Sequence, residues 1–427
     1  MIRIAPDAHQ IDHGKLSRGA LSVVKQLRDA GHQAFIVGGA VRDLILGGRP
    51  KDFDVATDAT PEQARALFRG ARIVGRRFQI VHVRMGREII EVTTFRGDHA
   101  QSTTQNGRNS GSHQSDKGLL LRDNVYGTLE EDALRRDLSI NALYYDPVSR
   151  EVLDQCAGVE DIYARKIAVI GNPAERYRED PVRMLRVVRF AAKLAFNIDP
   201  LSAAPMSDCG YLLRDIPPAR LFDESLKLFM AGFATPTLPL LSQFGLLTHL
   251  FPATAEALSE SERGRKVIHA ALEGTDQRVK DGRPVTPAFL FAAMLWPAVD
   301  SRAKHLTDRG DARHSGLHSA GQQIVLETCQ HIAIPKRFSL PMREIWELQS
   351  RLESRQTKRA KDVIARRRFR AAYDLLRLRE GSGESLEGAG DFWEKQQLKY
   401  PDIVGSQPEP ETERPRNRRR GRRRPTS

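Results

Sequence analysis

Two aspartates one residue apart, Asp52 and Asp54, close the stretch "FIVGGAVRDLILGGRPKDFDVAT". The alternation in "DFDVAT" predicts a strand with Phe53 and Val55 on one side and both carboxylates on the other. Strand rise sets the two aspartates roughly 6–7 Å apart along the backbone. Like charges that close repel unless a cation lies between them. Magnesium takes one or two protein carboxylates together with phosphate oxygens, and a pair of such ions can activate a hydroxyl and stabilise a leaving phosphate. Alone, Asp-x-Asp is equally a solvated strand edge. Upstream, Gly38 and Gly39 follow an apolar run and precede a helical pattern, so their backbone N–H groups can approach a phosphate. Arg42, in the first turn, can fork onto a triphosphate oxygen; the plainer reading is a surface ion pair with Asp43. A phosphate anchor and paired carboxylates so close in sequence point to nucleotidyl transfer.

Two later clusters extend that chemistry. In "GTLEEDALRRDLSINALYYD", Glu130, Glu131 and Asp132 precede Arg135, Arg136 and Asp137. The segment can supply a third carboxylate and an arginine for sugar or phosphate, or can simply be a helix with i,i+4 ion pairs. In "RYREDPVRMLRVVRF", Asp180 and Arg183 are expected side by side on a helix, with Arg186 and Arg189 continuing the stripe. A fixed carboxylate and guanidinium can pair with the donor and acceptor edge of a base. A basic helix face is the alternative.

The elements that must hold these groups are legible in outline. "KLSRGALSVVKQLRDA" has helical spacing and stops at Gly31; "QAFIVGG" reads as a buried strand; "TPEQARALFR" opens a helix with Thr60 as N-cap and Pro61 in the first turn. "RIVG", "QIVHVRM" and "EIIEVTTF" give further strands. Residues 98–116 are polar and aperiodic and read as a loop. From Cys156 to about Glu380 the spacing is helical.

In order along the chain, "FIVGGAVRDLILGGRPKDFDVAT", "LEEDALRRDLSINALYYDP", "LDQCAGVEDI" and "EDPVRMLRVVRFAAKLAF" resemble the successive motifs of the class II nucleotidyltransferases, the family of tRNA CCA-adding enzymes and bacterial poly(A) polymerases. "RRDLSINA" departs mildly, with Leu138 and Ser139 where the family usually has Phe and Thr. The resemblance implies an α+β fold, a polymerase-β-like head followed by all-α neck, body and tail domains. It implies a head over 15–155, a base-reading neck over 156–215, a helical RNA-binding body over 216–380 and a disordered basic tail over 381–427. It also implies that Asp52 and Asp54 hold two magnesium ions, with Glu130 as a further catalytic carboxylate. Gly38, Gly39 and Arg42 would meet the triphosphate of ATP, Arg136 the sugar or phosphate, and Asp180 and Arg183 the base, supported by Arg186 and Arg189. Outside the shared motifs, "RIVGRRFQIVHV", "HLFPATAEAL", "RPVTPAFLFAAMLW" and "ARRRFRAAYDLLRLRE" resemble the poly(A) polymerase branch. The expected activity is therefore template-independent addition of AMP to RNA 3′ ends. The alternatives are a CCA-adding enzyme and a noncatalytic RNA-binding protein on the same scaffold.

Bulk properties agree. The 427 residues exceed one small core and carry a net charge of +13. The last seventeen contribute +6, and Arg418, Arg419, Arg420, Arg422, Arg423 and Arg424 form a patch suited to RNA phosphates. Three widely spaced cysteines and no visible signal peptide suit the reducing cytoplasm. The longest apolar run, twelve residues from Ala288, is too short to span a bilayer.

Overall fold

The structure is a computed structural model that describes residues 1–75, 79–97, 112–114, 120–123 and 125–406. The arginines of the basic tail, Arg418 to Arg424, lie outside the described residues. Chain contacts divide the protein into two compact units. The first comprises Met1–Glu256, Leu272–Pro284 and Thr328–Ile334; the second comprises Ala257–Ala271, Val285–Glu327 and Pro335–Ser427.

An eight-stranded sheet organises the N-terminal part of the first unit. Its strands are β1 (Ile2–Ile4), β2 (Ala34–Val37), β3 (Asp54–Thr57), β4 (Arg72–Val74), β5 (Ile80–Met85), β6 (Glu88–Thr94), β7 (Leu143–Tyr145) and β8 (Val152–Asp154). Their spatial order is β1-β8-β7-β2-β3-β6-β5-β4, antiparallel throughout except for the parallel pair β3–β6. Val55, Val81, Val83, Ile90 and Val92 are buried on one face. The helices Arg18–Asp29 and Pro61–Leu67 pack against these strands. Ser17 caps the first of them, and a Thr60–Gln63 capping box starts the second. Phe35, Val37, Ala56, Phe95, Tyr144 and Leu153 join Leu129 and Ala133 of the helix Leu129–Arg135 in a second core.

Four expectations about elements change. Part of the polar stretch expected as a loop pairs as a hairpin, Ser112–Gln114 with Leu120–Asp123. The stretch from Cys156 to about Glu380, expected to be helical, holds among the described residues a short parallel pairing, Lys166–Ile167 with Asn197–Ile198. The helices Pro218–Phe229 and Ala234–Gln243, assigned from sequence to the body, pack on Val182–Leu194 within the first unit. Order continues past 381, in the helix Ala389–Lys399. That helix is anchored by Trp393, which is fully buried and donates to the Leu352 carbonyl at 2.8 Å. The expectation of a disordered tail from 381 missed it because a single tryptophan supplies the anchor.

Candidate active site

Strand register brings the first two motifs together. Val37, the last residue of β2, lies opposite Asp54, the first of β3. Gly38 follows at once, with φ +75° as the N-cap of the helix Gly39–Ile45. That positive φ is the reason for glycine; a Cβ there would stand 3.7 Å from Arg136 Nη1, an ordinary contact. The glycine turn and the Asp54 carboxylate therefore share one end of the sheet.

Asp52 differs from expectation. It is exposed and precedes β3 rather than lying on it, while Phe53 between the aspartates is buried. The strand cannot begin earlier on that side, because its partner β2 has already ended at Val37. Asp54 is joined instead by a residue that sequence reasoning passed over. Glu91 of β6 lies directly opposite it in the parallel register. Burial, then the Glu91 charge and more weakly that of Asp52, push the Asp54 carboxyl up to about 6, against the opposing pull of Arg136. Glu130, expected as the third carboxylate, is exposed in the first turn of Leu129–Arg135 and does not figure among the charges acting on Asp54. The sequence marks "EIIEVTTF" as a strand but does not say which strand pairs with it; only the pairing with β3 makes Glu91 a neighbour of Asp54.

These carboxylates fit a divalent cation by charge, since the half-buried Asp54 has Glu91 directly opposite and feels the charge of Asp52 as well. Among the described residues no three His, Cys, Asp or Glu side chains converge tightly enough to enclose a metal alone. Such a set suits magnesium completed by water and phosphate oxygens rather than a protein cage.

Arg136 is fixed by several partners. Its Nε donates to the Tyr144 hydroxyl at 2.9 Å and its Nη2 to Asp132 Oδ2 at 2.9 Å; Tyr144 in turn donates to Asp132 at 2.5 Å. Burial works against its charge, but Tyr144 and then Asp132 outweigh that and raise the Arg136 pKa. Arg176 Nη2 fixes the same backbone, donating to the Arg135 and Arg136 carbonyls at 2.6 and 2.7 Å. The Nη1 edge is left on the Gly38 side.

Arg42, expected to fork onto a triphosphate, is committed to the protein. It is 2% exposed. Its Nη2 donates to Asp43 at 2.6 Å and its Nη1 to Asn141 Oδ1 at 2.6 Å, and its guanidinium lies 5.0 Å from the Phe190 ring. Asn141 donates onward to Asp137 at 3.4 Å, and Asp137 accepts from Arg186. Burial alone would raise the Asp137 carboxyl, but Arg186 outweighs it and holds it at about 2.

The expected Asp180–Arg183 pair is not formed. Asp180 precedes Pro181 and takes an extended conformation, φ −149°, between the helices Pro173–Glu179 and Val182–Leu194. Proline disfavours a helical residue before it, so the two side chains do not share one helix. Asp180 Oδ2 accepts from Arg220 at 2.7 Å, whereas Arg183 donates to Glu179 at 2.7 Å and to the Arg176 carbonyl at 2.8 Å. Arg186 and Arg189 are not an open stripe either. They flank Phe190 at 5.6 and 5.0 Å and face Asp137 and Glu224.

A sheet that sets carboxylates beside a glycine turn, continued by helices, is the fold of the class II nucleotidyltransferases. The solved CCA-adding enzyme of Bacillus stearothermophilus in complex with CTP has this fold, with a TM-score of 0.60 over 91% of this chain and 83% of that one at 24% identity. The sequence matches the profiles described as "Poly A polymerase head domain" over 34–168, "Probable RNA and SrmB- binding site of polymerase A" over 195–258 and "Polymerase A arginine-rich C-terminus" over 309–426. It is 45% identical to poly(A) polymerase I of Escherichia coli O157:H7, over 98% of this chain and 91% of that protein. Similarity to the CCA-adding enzyme of Geobacillus stearothermophilus is 36% identity over 54% of each chain. The chain belongs to the bacterial poly(A) polymerase family.

Proposed function

We propose that the chain is a template-independent polynucleotide adenylyltransferase that adds AMP from ATP to RNA 3′ ends. The observation that carries this reading is the extent of similarity. It runs nearly end to end with poly(A) polymerase I and includes the arginine-rich C-terminal profile, but covers only about half of the CCA-adding relative. In the reaction the RNA 3′-hydroxyl attacks the α-phosphate of ATP and pyrophosphate leaves. Asp52, Asp54 and Glu91 would hold magnesium, which supplies a lowered pKa for the hydroxyl and charge neutralisation for the phosphates. The Gly38 turn and the Nη1 edge of Arg136 receive the triphosphate. Arg42 acts at one remove, holding the glycine helix to Asn141. For the base, Asp180 offers an acceptor and Arg220, fixed beside it, offers donors. The basic tail gathers RNA phosphates without reading sequence. Three free cysteines suit a cytoplasmic setting, and no helix among the described residues is long and apolar enough to cross a membrane.

The deciding experiment offers the purified protein labelled RNAs with each of the four NTPs in turn. ATP-only extension of tRNA and unrelated RNA alike is the expected outcome. CTP incorporation on tRNA lacking its 3′ end would replace this reading with CCA addition. Retention of RNA with no incorporation would leave a noncatalytic binder.

A further inference from the structure

A single row of cross-strand neighbours crosses this part of the sheet. From β2 to β4 it reads Val37, Asp54, Glu91, His82 and Arg72, each directly opposite the next. Residues directly opposite share a face. The acidic centre therefore continues, strand by strand, into two basic side chains on the same side of the sheet. His82 Nε2 lies 3.5 Å from Glu91 Oε1 and both side chains are open to solvent, at 36% and 46% exposure. Arg72 is exposed on the edge strand and makes no ion pair among the described residues. At about 4.8 Å per strand, it stands roughly 14 Å from Asp54.

The direction of the row matters. In phosphoryl transfer the attacking and leaving oxygens lie roughly in line through the phosphorus. The glycine turn begins beside Val37, on the β2 side of Asp54, so a triphosphate seated there sends its pyrophosphate that way. The attacking hydroxyl must then arrive from the β6–β5–β4 side, where His82 and Arg72 stand. We propose that His82 and Arg72 form a track for the last phosphates of the RNA primer, leading its 3′ end to Asp54 and Glu91. The proposal rests on the adenylyltransferase reading and deepens it. An edge-strand arginine also discourages strand pairing with other chains, but that role does not require a histidine in the same row or a row that ends at the acidic centre.

The test uses the full chain and the variants Arg72→Ala, Arg72→Lys and His82→Gln. Steady-state extension of an oligo(A) primer gives KM for RNA and for ATP. Fluorescence anisotropy of the same RNA without ATP, over a salt series, gives binding. Arg72→Ala and His82→Gln should raise the KM for RNA several-fold and leave that for ATP within about twofold. Arg72→Ala should lower the log–log salt slope by about 0.7, the share of one single-strand phosphate, and Arg72→Lys should restore both. Unchanged RNA KM and salt slope in Arg72→Ala and His82→Gln overturn the track. So does a rise in the ATP KM alone, which would put the row on the triphosphate side. If the wild-type chain extends RNA with no nucleotide, the adenylyltransferase reading fails by itself, and the anisotropy arm still decides whether the row binds RNA.

Discussion

Arg42 Nη1 donates to Asn141 Oδ1 at 2.6 Å, joining the glycine-turn helix to a segment 99 residues away. With Asp43 on its other side, this buried guanidinium is a strut that ties the two segments together. Asn141→Ala removes the acceptor and leaves a buried N–H unpaired. A hydrogen bond to a charged group contributes about 1.5–3 kcal/mol, so denaturant unfolding should show a loss of that size. Adenylation should fall with it, in kcat more than in KM for ATP. A stability loss with unchanged kcat would show that the strut does not position the turn.

Asp54 makes stability depend on pH, and under the proposed function on magnesium as well. Its carboxyl rises from an ordinary 3.8 to about 6 in the folded chain. The folded state therefore keeps a proton that the unfolded state loses, and the stability this contributes is full below 3.8 and lost as pH rises through 6. Above that window the ionised carboxylate opposes folding by at most about 3 kcal/mol. Without magnesium, Asp54→Asn should raise Tm at pH 7.5, raise it roughly half as much at about pH 5, and leave it nearly unchanged at about pH 3.5. Added magnesium should stabilise the wild-type chain at pH 7.5 and have little effect on the variant. Adenylation by Asp54→Asn should be lost throughout.

Glu91 and Glu130 can be separated by parallel substitutions. Glu91→Gln, directly opposite Asp54, should lower kcat about a hundredfold, a typical loss when one electrostatic group of a reaction centre is removed. Glu130→Gln, exposed in a helix's first turn, should retain activity within about twofold and lose only the few tenths of a kcal/mol that a helix-terminal acid contributes. The reverse ranking would restore Glu130 as the third carboxylate.

Base choice should depend on Arg220 as well as Asp180. Arg220→Ala frees the Asp180 carboxylate of its fixed partner, and should raise the KM for ATP and erode preference among the four NTPs. Arg183→Ala should act mainly on stability, because its guanidinium donates to Glu179 and to the Arg176 carbonyl. Steady-state addition with all four NTPs, beside thermal unfolding of each variant, distinguishes these outcomes.

Removal of residues 411–427 takes away net charge +6. Fewer counterions are then released on binding, so RNA affinity should fall and its salt dependence flatten, while KM for ATP stays the same. Filter binding at several salt concentrations measures both. An unaltered salt slope would show that the tail does not meet RNA.

The sequence by itself determined the chemistry and the order of the parts. Periodicity gave the strands and the Thr60 cap; residue type and spacing gave Asp52, Asp54 and the glycine turn; successive motifs gave the family. These are local signals, carried by residues close together in the chain. Tertiary structure alone decided which distant residues meet. Glu91 became a neighbour of Asp54 through a parallel strand pairing, and Asn141 became the acceptor for Arg42 through packing across the head, neither of which is encoded in local spacing. Arg220 replaced Arg183 beside Asp180 because Pro181 breaks the helix that local periodicity had extended through it, freeing the carboxylate to reach a residue forty positions onward.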